Sequence, residues 1–269
     1  MPTDQFPLED YYARVGISAG EGPTLERLEE IQRAQLCSIP YENFDVLLGR
    51  GVNLSPDHLY PKLLHSARGG YCFELNGLFF AALLAEGFKA RRLLGRVHLV
   101  GDPTGRGHQI SLVTIDGKDW IADTGNGAIC SRVPLPLETD TVTLSDGTPF
   151  RLVDHELGYM LQAQQEGQWR DVYSFDLMPV LDADIDYGNH FTSTHPSSFF
   201  LHNRIAVLCH VDGQTIIFND TCTVKRGEAS TSETIPDDET YLDMLRDRVG
   251  IDLDISSADL GPMPVSSST

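Results

Sequence analysis

The stretch Arg68-Gly69-Gly70-Tyr71-Cys72-Phe73-Glu74-Leu75-Asn76-Gly77 places one cysteine after two glycines and at the head of a longer run, CFELNGLFFAALLAE, from Cys72 to Glu86. That run is apolar almost all round, the pattern of a helix buried on every side, and Gly87 supplies its stop. A cysteine in the first turn of such a helix lies at the positive end of the helix dipole, which favours a thiolate. The paired glycines let backbone N–H groups come close to a bound acyl group, as an oxyanion site requires. The opposing reading is simple burial, because free cysteine is among the most buried residue types. On this segment alone Cys72 is open as nucleophile or core.

Upstream of this run the chain reads as helical. Thr24 is placed to cap a helix through about Ser38, with Leu25, Leu28, Ile31 and Leu36 on one stripe, and Ser55-Pro56 opens another helix through about Ala67. Downstream of Gly87 the pattern changes to short β-type segments separated by Asp116-Gly117, Asp146-Gly147 and Glu166-Gly167, which predicts an antiparallel meander or small barrel. From about residue 196 a further hairpin turns at Asp212-Gly213 and a helix follows over DDETYLDMLRDRVG, a small α/β unit. The final GPMPVSSST has no packing pattern and is expected to be mobile.

Composition narrows the function classes. The 269 residues are 41% hydrophobic and 22% charged, as in an ordinary globular protein. Thirty-nine acidic against 20 basic residues give a formal charge of −19, which opposes binding to nucleic acid or an anionic membrane. No run approaches a membrane span, and the first residues lack the basic start and apolar core of a signal peptide, so a cytoplasmic protein is expected. The five cysteines are scattered and never form a CxxC pair, so free thiols are expected rather than disulfides or a zinc site. The spacing of His190, His195 and His202 fits no familiar ligand pattern, and no metal is expected.

A nucleophilic cysteine needs a base and a group that orients it. One such pair can be placed from the sequence. His108-Gln-Ile-Ser-Leu-Val-Thr-Ile115, Asp116-Gly117 and Lys118-Asp-Trp-Ile-Ala-Asp123 form a two-residue hairpin signal. Facing Ile115 with Lys118 sets Ile110 opposite Asp123. His108 and Asp123 then become diagonal neighbours on one face at the open end of the hairpin, roughly 7–8 Å apart along the backbone. An imidazole and a carboxylate bridge that distance.

These residues resemble the arylamine N-acetyltransferase family. The resemblance rests on Ile39-Pro40-Tyr41-Glu42-Asn43 with Asp45-Val46-Leu47-Leu48, on Arg68 to Gly77, and on Leu94-Gly95-Arg96-Val97. It continues through His108, Trp120-Ile121-Ala122-Asp123 and Ser193-Thr194-His195-Pro196-Ser197-Ser198-Phe199. The motifs occur in order and span most of the chain. The resemblance implies an α+β multidomain fold: an N-terminal helical bundle over 1–86, a central antiparallel β-barrel over 87–195 and a C-terminal α/β lid over 196–269. It implies a Cys72-His108-Asp123 triad and ping-pong acyl transfer from acetyl-coenzyme A, a co-substrate and not a bound cofactor, to an arylamine or arylhydrazine. It also implies substrate contacts at Phe73, Asn126 and Gly127, and an ion-pair support from Glu42 and Arg68.

One motif departs. Where the family usually reads Asp-Val-Gly-Phe-Gly, this chain has Asp123-Thr124-Gly125-Asn126-Gly127. The change sets a polar amide where an aromatic wall is expected, for a larger or hydrogen-bonding pocket. The alternative function is therefore an amide synthase that moves a longer acyl group from coenzyme A or an acyl carrier protein, for which Arg91, Arg92 and Arg96 are the obvious basic cluster. A cysteine hydrolase and a non-catalytic binding module rank lower.

Overall fold

A computed structural model describes residues 6–99 and 103–264; residues 265–269, which hold most of the tail expected to be mobile, lie outside them. The N-terminal part holds α1 (Leu8–Val15), α2 (Leu25–Ser38), β1 (Tyr41–Glu42), α3 (Phe44–Leu47), α4 (Pro56–His65) and α5 (Cys72–Ala85). Thr24 caps α2 as its sequence position demands, its hydroxyl accepting the Arg27 N–H at 3.2 Å. Helix α5 lies against the sheet that follows. Its Leu75, Leu78, Phe79, Ala82 and Leu83 sit in one core with Leu28, Ile31 and Leu63 of the other helices.

That sheet contains β2 (Lys89–Val97), β3 (His108–Ile115), β4 (Lys118–Ala122), β5 (Leu135–Pro136), β6 (Val142–Ser145), β7 (Thr148–His155), β8 (Gly158–Gln165) and β9 (Gln168–Phe175). All eight strands are antiparallel, in the order β5-β4-β3-β2-β9-β8-β7-β6. The sheet curls until Thr139, just beyond β5, bridges Leu152 of β7, which nearly closes a barrel. Its turns at Asp116-Gly117, Asp146-Gly147 and Glu166-Gly167 have positive φ at both residues, the primed turn that those pairs favour. Strand β3 is buried on both faces. Ile110 and Leu112 point into the barrel core, while Val113 and Ile115 join the helical core.

Helix α6 (Asp182–Thr194) follows the barrel. A second antiparallel sheet then forms from β10 (Ile205–His210), β11 (Gly213–Phe218), β12 (Thr221–Arg226) and β13 (Ala229–Thr234), covered by α7 (Glu239–Val249). Its first strand is β1, from the N-terminal part, with Tyr41 opposite Val207 and Glu42 opposite Ala206. Phe44 buries itself in the core of this sheet as well. The α+β fold with bundle, barrel and lid is therefore present, and β1 joins its first and last parts.

Three expectations change. Helices α1 and α6 and the β12–β13 hairpin were not read from the sequence. The helix after Ser55 ends at His65 rather than Ala67. The β10–β11 turn is Val211-Asp212, because Gly213 already pairs with His210 within the strands.

Candidate active site

The paired glycines that precede Cys72 serve packing, not an open anion site. The Gly70 N–H donates to the Pro40 carbonyl at 3.2 Å, and the Gly70 carbonyl accepts from the Glu42 N–H at 2.9 Å. A Cβ at Gly69 would lie 1.8 Å from the Pro40 oxygen, and one at Gly70 would lie 2.7 Å from Glu74 Cβ. The glycines thus let the segment before α5 press against the end of β1. The oxyanion expectation for the Gly70 N–H is corrected, since that donor is already used.

Five charged side chains fasten the same segment. Arg68 binds Glu42 at 2.7 Å and Asp45 at 3.0 Å, while Lys62 binds Asp45 at 2.6 Å and Glu74 at 2.7 Å. Glu42 also accepts the Phe44 N–H at 2.8 Å, and Glu74 accepts the Tyr71 N–H at 3.1 Å, closing the first turn of α5. These charges are paired, and Glu42, Lys62, Arg68 and Glu74 are hydrogen-bonded as well, the condition under which burial of charge is tolerated.

On this mount Cys72 is 3% exposed and its thiol faces the Gly107 carbonyl at 3.5 Å. His108 follows directly, at the start of β3. Its Nε2 lies 2.8 Å from Asp123 Oδ2, just past the end of β4. Ser111 pairs with Ala122 and Ile115 with Lys118, so the register deduced from the Asp-Gly turn holds. With Nε2 engaged by Asp123, Nδ1 is the imidazole nitrogen left for the cysteine.

Asp123 accepts three hydrogen bonds: His108 at Oδ2, and Asn76 Nδ2 and the Gly125 N–H, both at 2.8 Å, at Oδ1. Burial raises its pKa, but the His108 charge and these hydrogen bonds outweigh burial and hold the carboxyl below its ordinary range. Burial likewise opposes charge on His108. The carboxylate and the neighbouring Cys72 sulfur override it and push the imidazole up to about 10. The ring also packs against Tyr173, with centroids 4.9 Å apart.

Asn76 was quoted in the opening motif but given no role. It is wholly buried and joins three parts of the site: its amide donates to Asp123 and to the Gln109 carbonyl, and its oxygen accepts the Thr124 N–H at 2.9 Å. The available signal was its spacing, one helical turn after Cys72 on the same face of a mostly apolar helix. Gly125 is also fixed by contact, since a Cβ there would lie 2.8 Å from Cys72 Cα.

The other candidate residues divide. Phe73 is fully buried, and its ring edge lies beneath α6 at Gly188. Gly127 has φ +58° and borders the Tyr41 ring. Asn126 uses its amide within its own loop, donating to the Ile129 carbonyl at 2.5 Å. With Asp123 and Tyr173 it lines a cavity of only about 10 Å³, space for about one water. His195 turns to Ser197 and His202 to the Pro196 carbonyl. Among the described residues no helix is long and apolar enough to cross a membrane.

The N-acetyltransferase family model matches residues 24–258. The arylamine N-acetyltransferase / N-hydroxyarylamine O-acetyltransferase of Salmonella typhimurium is 33% identical over 249 residues, covering 91% of this chain and 88% of that protein. The structure of the Salmonella typhimurium arylamine N-acetyltransferase superposes with a TM-score of 0.89, covering 94% of this chain and 96% of that one. The Mycobacterium marinum arylamine N-acetyltransferase in complex with CoA superposes at 0.85 with 32% identity, covering 95% of each chain. A shorter match, 33% over 180 residues, covers 65% of this chain and 69% of the proansamycin X synthase of Amycolatopsis mediterranei. With its buried Cys, His and Asp brought together on this fold, the chain belongs to the arylamine N-acetyltransferase family of enzymes.

Proposed function

We propose that this enzyme transfers an acetyl or other short acyl group from a coenzyme A thioester to the nitrogen of an arylamine or arylhydrazine, through a thioester on Cys72. The observation that carries the reading is the 2.8 Å His108–Asp123 contact placed beside Cys72 at the start of α5. The imidazolium of His108 lies on one side of Cys72 and the N-terminus of α5 on the other. The thiolate attacks the thioester carbonyl, the bond from carbonyl carbon to coenzyme A sulfur breaks, and His108 gives its proton to the departing thiolate. Neutral His108 then takes the proton of the amine as it attacks the acyl-enzyme, and the Cys72 thiolate leaves. Asp123 keeps the ring oriented and stabilises its charged form without taking the proton. Glu42 and Arg68 support the mount and do not touch the reacting atoms. Phe73 and Gly127 shape the wall beside the thioester. The five unpaired thiols support a cytoplasmic setting.

A second reading, transfer of a longer acyl group, has the partial match to proansamycin X synthase in its favour. It ranks lower because Asn126 is tied to Ile129 beside a water-sized cavity. A carrier-protein donor ranks lower still. Carrier proteins are usually acidic, and of the basic cluster Arg92 is already paired with Asp182 while Arg96 donates to the Thr104 carbonyl.

The test is intact-protein mass spectrometry after brief exposure to acetyl-coenzyme A or to longer acyl-coenzyme A, on wild type and Cys72→Ala. One acetyl adduct, absent from the variant, is expected. Labelling by long acyl groups alone would favour the second reading. An adduct that persists in Cys72→Ala would overturn both.

A further inference from the structure

Four rings cluster with Cys72. Tyr71 lies 5.8 Å from Phe73 and 5.7 Å from Phe200 between centroids, and Phe200 lies 6.4 Å from Tyr41. Two of these rings carry hydroxyls, and the two differ. The Tyr71 hydroxyl donates to the Asn189 side chain, which fixes it beneath α6. The Tyr41 hydroxyl makes no hydrogen bond among the described residues, and the residue is half-buried.

Tyr41 itself is held firmly. Its backbone bridges Gly70, two residues before Cys72, and pairs with Val207 of β10. Its ring lies against Gly127, four residues after Asp123, where a Cβ would stand 3.6 Å from Tyr41 Cε1. A rigid ring between the two halves of the site therefore presents an O–H that the protein leaves unsatisfied.

We propose that Tyr41 is a specificity-determining residue whose hydroxyl donates a hydrogen bond to a neutral oxygen substituent on the ring of the acceptor amine. The inference rests on the transfer reaction proposed above. Once Cys72 carries the acyl group, the amine nitrogen must reach it within range of His108, and the rest of the acceptor extends along the aromatic wall. Flat rings such as Tyr41 and Phe200 suit a planar aryl group. Burial pushes the Tyr41 phenol up, and the negative charge of Cys72, Asp123 and Glu74 pushes it further, so the group remains a donor. The same three neighbours disfavour a carboxylate substituent, which leaves ether, hydroxyl and carbonyl oxygens.

The test compares kcat/KM for 3- and 4-methoxyaniline with their ethyl isosteres, in wild type and Tyr41→Phe. The intrinsic difference in amine nucleophilicity cancels in the ratio of ratios. The methoxy-to-ethyl preference is expected to fall about fivefold to tenfold in Tyr41→Phe for at least one ring position, the worth of one hydrogen bond. A preference unchanged at both positions overturns the proposal. So does a Tyr41→Phe defect lying wholly in acetylation of Cys72 without amine, which would assign the hydroxyl to the acyl group. Failure of wild type to form any acetyl-enzyme would overturn the transfer reading itself, and with it this inference.

Discussion

The β3–β4 hairpin and helix α6 both border Cys72, yet they owe their places to different physics. The hairpin is dictated locally. A primed Asp116-Gly117 turn sets the register, the register sets the faces, and His108 meets Asp123 as a consequence. Helix α6 has the sequence DADIDYGNHFTST, with a central glycine and weak helix formers, and few isolated chains of that composition would be helical. It forms because Gly188 lets its backbone settle on Phe73 and Asn189 binds Tyr71 and the Val52 carbonyl. The acid–base pair is thus built by short-range rules, and the wall over it by tertiary contact.

The largest effect tests the local half. Asp123→Asn keeps the shape and removes the charge that orients His108, so kcat/KM should fall about 10³- to 10⁴-fold in a steady-state assay, with Tm lowered as well because a buried ion pair is broken. A loss under tenfold would detach the pair from the chemistry. Asn76→Ala probes the link between α5 and the hairpin. It leaves the Thr124 N–H and one Asp123 lone pair without a partner in a buried site. Urea unfolding should show a loss of about 2–4 kcal/mol, together with reduced activity.

Gly188→Ala sharpens the tertiary half. By helix propensity alone the change would stabilise by about 1 kcal/mol. The new Cβ would lie 2.7 Å from Phe73 Cζ and 3.0 Å from the Arg106 carbonyl, so a net loss of about 1–2 kcal/mol is expected instead. A more stable variant would mean that α6 is held by its own propensity after all. The smallest effect belongs to Arg92→Ala. Its partner Asp182 at the start of α6 is exposed and the Arg92 stem lies over the Phe80 ring, so stability should fall by less than about 1 kcal/mol.

The same division explains what was legible in the sequence. The buried α5, the hairpin register and the His108–Asp123 pair follow from apolar pattern and turn chemistry, whereas the grouping of that pair with Cys72 rests on the family resemblance. The role of Asn76 was within reach through its spacing from Cys72, but a polar residue in an apolar helix does not name its partner. For Asn126 the sequence gives the residue and not the Ile129 carbonyl to which its amide donates. Helix α6 and β1 joining the far sheet were beyond local rules, since the contacts that stabilise them lie about 115 to 165 residues away along the chain.

The central claim is that His108 is held charged by Asp123 beside Cys72. A folded pKa raised above the ordinary 6.5 contributes stability that is complete below 6.5 and is lost as pH rises through about 10. The direct measurement is a titration of the His108 ring nitrogens by ¹H–¹⁵N NMR on the resting enzyme. The account predicts an imidazolium signature that persists through pH 8, with a midpoint near 10. A midpoint near 6.5, with a neutral ring at pH 8, would contradict it.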